Sequence, residues 1–254
     1  MRPLIVVAAL LSSSALAAPR DFPFTWTSHT SAAGRSSFEA WLTPRLVRTD
    51  DFLQLDTRVV WTHGLTRTLE TQLSMDLDFQ RTDFTQGVDA KLTSLWRWTT
   101  WREGTPFAVG GLTRISLGVD QLEVEARLLA DLKLDRVVVA LNASASRALF
   151  WNGRVGVDTR LEETFGAKYV ISPAVAVGLE IRAKSSWRER AYQGTALYVG
   201  PALTFTHEKF WVTLGGYAQV AADRAKADRS LPEPNELRDN ERFVLRLVVG
   251  ANTP

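Results

Sequence analysis

The feature that most restricts this chain is an alternation of period two that recurs along most of its length. From Leu69 to Gln80 it reads LETQLSMDLDFQ, with Leu69, Thr71, Leu73, Met75, Leu77 and Phe79 on one side and Glu70, Gln72, Ser74, Asp76, Asp78 and Gln80 on the other. Successive side chains point to opposite faces in a β-strand, so this segment has one apolar and one wet face. The same phase recurs from Leu53 to Trp61 and from Leu122 to Leu134. Less regular copies run over Phe38 to Val47, Val88 to Trp98, Phe107 to Val119, Val137 to Ala145, Val155 to Ile171, Val175 to Lys184, Thr195 to Thr206, Phe210 to Val220 and Arg242 to Gly250. Together they predict about twelve strands, many near the ~10 residues a tilted strand needs to cross a bilayer.

Turn residues separate the segments: Gly64, Gly104-Thr105-Pro106, Asp135-Arg136, Asn152-Gly153, Ser172-Pro173 and His207-Glu208-Lys209. Consecutive strands joined this way form simple hairpins. The expected fold is therefore all-β: a closed, antiparallel, up-and-down transmembrane barrel. The longest and most charged connection is AADRAKADRSLPEPNELRDN, residues 221–240. Placing it outside the cell, with Ser185 to Gly194 and Arg81 to Gly87, leaves the short turns and both termini in the periplasm, the asymmetry of outer-membrane barrels.

The start, MRPLIVVAALLSSSALAAPR, has a basic residue, a short apolar run and small residues ending Ala15-Leu16-Ala17. That is a secretory signal peptide, and the run is too short for a membrane helix. The expected division is a cleaved signal over 1–17, a periplasmic lead-in over 18–36 and the barrel over 37–254, in the outer membrane of a Gram-negative bacterium.

Composition removes several function classes. Thirty basic against 28 acidic residues give a net charge of +2, with no basic excess to attract nucleic acid. There are no cysteines, hence no thiol chemistry, and the three histidines, His29, His63 and His207, lack the spacing of metal ligands. No cofactor or metal is expected. Asp76 and Asp78 share a face but offer too few oxygens for calcium, and arginine-balanced carboxylates explain them better. A barrel phospholipase would need a serine beside a histidine on the outer wall, and none of the histidines has an obvious serine partner at membrane depth. The chain is not expected to be an enzyme. Asn142-Ala143-Ser144 matches a glycosylation acceptor but lies inside a strand.

The polar rows carry the candidate site. Facing the lumen are Asp56 and Arg58; Glu70, Asp76 and Asp78; Asp89, Lys91 and Arg97; Arg114; Glu123, Glu125, Arg127, Asp131 and Lys133; Asp158 and Arg160; Glu180, Arg182 and Lys184; and Arg246. They either line a water-filled path and set its selectivity or fill a narrow barrel with paired charges. Glu163 would face lipid in the phase of Leu161 and Phe165, so a β-bulge at Glu162-Glu163 is expected to return it inward. Of nine tryptophans, Trp41, Trp61, Trp96, Trp98, Trp101, Trp151, Trp187 and Trp211 lie mostly near strand ends, where an interfacial girdle would hold them.

The segments WTHGLTRTLETQLSMDL, YVISPAVAVGLEIR and YVGPALTFTHEKFWVTLGG resemble the strand-turn-strand units of uncharacterised outer-membrane barrels, including the phenol-degradation MetA-pathway proteins. The resemblance implies export and the barrel fold and names no substrate. The chain departs from many such barrels in ending FVLRLVVGANTP instead of on a terminal aromatic residue.

Three functions fit these residues. The first is a passive pore or transporter for small polar solutes, bathed in outer-membrane lipid. The second is a closed structural or adhesion barrel whose outer loops, 221–240 and the loop around Trp187 and Tyr192, meet an external partner. The third is a soluble periplasmic ligand-binding barrel with its apolar faces inward.

Overall fold

The computed structural model describes residues 20–46, 53–81, 86–101, 105–151, 156–224 and 241–253. Twelve strands follow one another: β1 (Ser36–Leu46), β2 (Leu53–Gly64), β3 (Leu69–Arg81), β4 (Gln86–Thr99), β5 (Phe107–Gly118), β6 (Gln121–Leu134), β7 (Val137–Phe150), β8 (Gly156–Ser172), β9 (Val175–Arg188), β10 (Ala191–His207), β11 (Phe210–Arg224) and β12 (Phe243–Asn252). Each pairs antiparallel with its sequence neighbours, and β1 pairs with β12 to close the barrel. Closure leaves no edge strand whose backbone groups would face lipid unpaired. An even strand number returns the chain to its starting side, so Ser37 lies opposite Asn252 at one rim, called here the terminal rim.

The alternation does what the sequence predicts, and the direction is inverted relative to a soluble protein. In β3, Leu73 and Met75 are 47% and 52% exposed while Glu70 and Asp76 are 0% and 6% exposed. The apolar faces look outward along every strand, with Phe38, Val59, Leu92, Ile115, Leu128, Leu141, Phe165, Leu179, Leu203, Leu214 and Leu245 all on the outer surface. A ligand-binding barrel with its apolar faces inward is therefore not what this chain forms.

Four details differ from expectation. First, no bulge interrupts β8 at Glu162-Glu163: Glu163 stays in register opposite Ala143 and Ala183, exposed on the outer wall. Alanines on both sides leave it room, and a long side chain can bend its carboxylate away from the apolar belt. Second, residues 185–194 are not a loop. Strands β9 and β10 run through them, Tyr192 pairs with Trp187, and the turn is Glu189-Arg190 alone, both at positive φ (48° and 73°). Two positive-φ residues match the right-handed twist of a tight hairpin, but the usual Asn-Gly signal is absent. Third, the tryptophans do not all join a girdle. Trp96, Trp98 and Trp151 are on the outside, whereas Trp41 and Trp211 are buried within the barrel. Fourth, Arg20 to Arg35, expected as a lead-in ahead of the barrel, makes no strand and folds into the lumen.

The signal segment 1–17, most of the loop 221–240, and the turns at Gly104 and Asn152-Gly153 lie outside the described residues; Ala221 to Arg224 are the end of β11.

Candidate functional site

The lumen divides into two layers, one filled by the folded-in segment and one open. Entering beside Gly64, where Gly34 N–H donates to the Gly64 carbonyl at 2.8 Å, the segment runs backwards in sequence around the inner wall. It forms no ladder, so its backbone N–H groups need other acceptors in a place shut off from water. Lumen side chains supply them. Ser31 N–H donates to Glu70 at 2.7 Å, Ser28 N–H to Asp131 at 2.6 Å, and Trp26 N–H to the Asn142 carbonyl oxygen at 2.7 Å. Thr25 and Phe24 N–H both donate to Glu180 Oε1, at 2.6 and 3.2 Å. Backbone carbonyls are met in turn: Asn142 donates to Trp26 O, Arg97 to Thr27 O, Thr204 to Asp21 O and Thr213 to Arg20 O. Hydrogen bonds to charged acceptors are each worth about 1.5–3 kcal/mol.

Three aromatic pegs at alternate positions complete the plug. Phe22 is fully buried against Val138 and Ala140. Phe24 enters a socket of Ala196, Tyr198, Tyr217 and Val244 and meets Tyr217 edge to face at 4.9 Å. Trp26 bridges two further sockets, one of Leu95, Leu112 and Leu129, the other of Trp41, Val60 and Val248. Each ring buried this way contributes about 1.5–3 kcal/mol. Gly166 is required at the first peg, since a Cβ there would sit 2.9 Å from the Phe22 ring.

Charges on the plug are paired within the barrel. Asp21 bonds to Lys168, and Arg20 stacks between Trp26 and Trp41 at 3.8 and 4.1 Å while meeting Glu39 at 3.4 Å. Burial, opposed by Glu39, lowers the Arg20 pKa to about 10. For Asp21 burial works against the charged form, but Lys168 outweighs it and the pKa falls. His29 sits 4.7 Å from the Trp101 ring with Nδ1 3.5 Å from Asp131, and burial lowers its pKa despite the carboxylates of Asp21 and Asp131.

Beyond the plug a cavity of about 660 Å³ runs to the far rim, floored by Phe24, Trp26 and Trp41. Its walls are polar and mostly ion-paired. Arg45 meets Asp56 at 2.5 Å and Glu241 at 3.3 Å, Arg58 grips Asp76 with two bonds of 2.5 and 2.9 Å, and Lys91 meets Asp78 at 3.4 Å. A chain then crosses the wall: Glu123 and Glu125 to Arg114 at 2.7 and 2.8 Å, Glu125 to Arg127 at 2.9 Å, Arg127 to Glu162 at 3.3 Å, and Glu162 to Arg182 at 2.5 Å.

The residues singled out from the sequence thus separate into two sets. Asp56, Arg58, Asp76, Asp78, Asp89, Lys91, Arg114, Glu123, Glu125, Arg127, Asp158, Arg160, Arg182, Lys184 and Arg246 line the cavity. Glu70, Arg97, Asp131 and Glu180 instead hold the plug, and Lys133 is exposed at the terminal rim. Sequence reasoning missed Glu39, Arg45, Asn142, Glu162, Glu241 and the plug itself. One signal for it was present: the inward rows contain apolar residues, Val60 and Leu129 among them, that only an apolar occupant would require. Ser36 Oγ also lies 2.8 Å from His63 Nδ1, a serine partner the sequence did not reveal. It sits at the terminal rim, and no acid orients the other ring nitrogen among the described residues.

The same architecture occurs in solved outer-membrane proteins. The COG4313 outer membrane channel from Pseudomonas putida F1 superposes with a TM-score of 0.65 at 12% identity, covering 93% of this chain and 99% of that one. The NanC porin gives 0.57 at 8% identity, covering 84% and 98%, and the KdgM porin in complex with disordered oligogalacturonate gives 0.54 at 12%, covering 86% and 99%. At identities this low the superpositions show a shared closed β-barrel fold. No curated protein matches in sequence. Residues 120–253 match the model of a family of unknown function, DUF6662, and the chain belongs to that family.

Proposed function

We propose that this protein is an outer-membrane barrel of a Gram-negative bacterium, with the terminal rim in the periplasm, that gives small polar solutes a passive route throttled by its N-terminal segment. The observation that carries the reading is the charged cavity of about 660 Å³ leading from the far rim to the plug inside an outwardly apolar wall. A lumen built only as a scaffold would close over its paired charges, because isolated charges away from water are costly. Here the pairs line the wall and leave space between them. The plug is held by side chains and not by a β-ladder, so it can leave without opening the barrel.

Single-channel recording of the refolded protein in planar bilayers tests this. A steady or stepwise ionic conductance is the expected outcome. Silent bilayers despite verified insertion would replace the pore with a closed scaffold.

A further inference from the structure

Cations and carboxylates in the cavity do not balance, and the excess is local. Arg160, on β8, makes no hydrogen bond or ion pair among the described residues, and neither does Lys184, on β9, although both line the cavity. The strand register puts Glu162 opposite Lys184, yet both of its carboxylate oxygens are taken by Arg127 and Arg182. Glu241, within electrostatic reach of Lys184, is ion-paired with Arg45. Arg246, on β12, has only neutral acceptors, Thr43 Oγ1 at 3.0 Å and the Pro23 carbonyl at 3.3 Å, and lies 3.6 Å over the Phe24 ring. Asp89 is the lining carboxylate without a cation among the described residues, and it lies on β4 beside Asp78, in another part of the wall.

Unpaired cations confined on one wall of a cavity repel each other until an anion enters, and Arg160 and Lys184 lie within electrostatic reach of each other on adjacent strands. Arginine supplies a planar fork for a carboxylate or phosphate, and lysine a point charge. We propose that the β8–β9 wall of the cavity is a binding site for small polyanionic solutes, carboxylates above all, formed by Arg160 and Lys184. The site deepens the channel reading and rests on it for the solute's onward passage, while binding itself needs only the cavity.

The test compares wild type with Arg160→Gln/Lys184→Gln, which removes two side chains that hold nothing else in place, in two measurements. The first is the reversal potential of the refolded protein under a potassium chloride gradient: wild type prefers chloride, and the variant loses that preference. An absent preference in wild type, or an unchanged one in the variant, overturns the site. The second is titration of the detergent-solubilised barrel with citrate, followed by tryptophan fluorescence from the Trp26 and Trp41 floor. A saturable change in wild type whose midpoint rises about tenfold or more in the variant supports the site, even if the bilayers prove silent and the channel reading falls. No citrate response in wild type overturns the site whatever the conductance.

Discussion

Single side chains decide whether the plug stays. Glu180 holds Thr25 and Phe24 by their backbone N–H groups and accepts from Tyr217 as well, so three donors depend on one carboxylate. Glu180→Leu removes the acceptor and leaves these buried donors unmet, and docking should weaken by about 1–3 kcal/mol or more. Faster proteolysis of the N-terminal segment in the folded barrel would register this, and an unchanged rate would refute it. His29 gives the plug a pH dependence. Its pKa is lower docked than its ordinary 6.5 because burial disfavours the charged ring, with Lys133 and Arg97 adding to burial and Asp21 and Asp131 opposing it. The released segment therefore binds a proton more readily, and docking, unaffected above pH 6.5, weakens as pH falls below it. Conductance should rise between pH 7 and about pH 5 in wild type and stay flatter in His29→Gln.

Among elements, the strands were legible and two other features were not. Alternation over β3 and β6 fixes both their extent and their inward rows, because a period of two cannot be confused with a helix once it persists for ten residues. The Glu189-Arg190 turn was hidden because its backbone adopts positive φ with residues that seldom do so, leaving no Gly or Asn to mark it. The plug was hidden for a different reason. Its contacts join residues far apart in sequence, such as Trp26 with Asn142, and its alternating Phe22, Phe24 and Trp26 look like an unpaired strand until the sockets across the lumen are known. Two changes address it as a unit. Deleting residues 20–33 should raise single-channel conductance several-fold while the barrel still assembles. Gly166→Val should do so in part, since the added carbons occupy the Phe22 position. Unchanged conductance in the deletion would show that the segment does not obstruct the path.

For the whole molecule, the outer belt sets both stability and solvent. Glu163 interrupts that belt in mid-strand, exposed between Ala143 and Ala183. Glu163→Leu should stabilise the barrel in lipid by about 1–2 kcal/mol, measured by reversible urea unfolding in vesicles. A destabilised variant would mean that the carboxylate meets a partner other than lipid.

The seam between β1 and β12 has one more consequence. Its closing bonds join positions far apart, Thr253 to Ser36 across 217 residues, and the plug's Pro23 is reached by Arg246 across 223. Such contacts form late, since loop closure must be met before they give anything back. A nascent or truncated copy lacking β12 can neither finish the cylinder nor offer Arg246 to the entering segment. Closing the cylinder and seating the segment are then coupled, and both wait for the last strand.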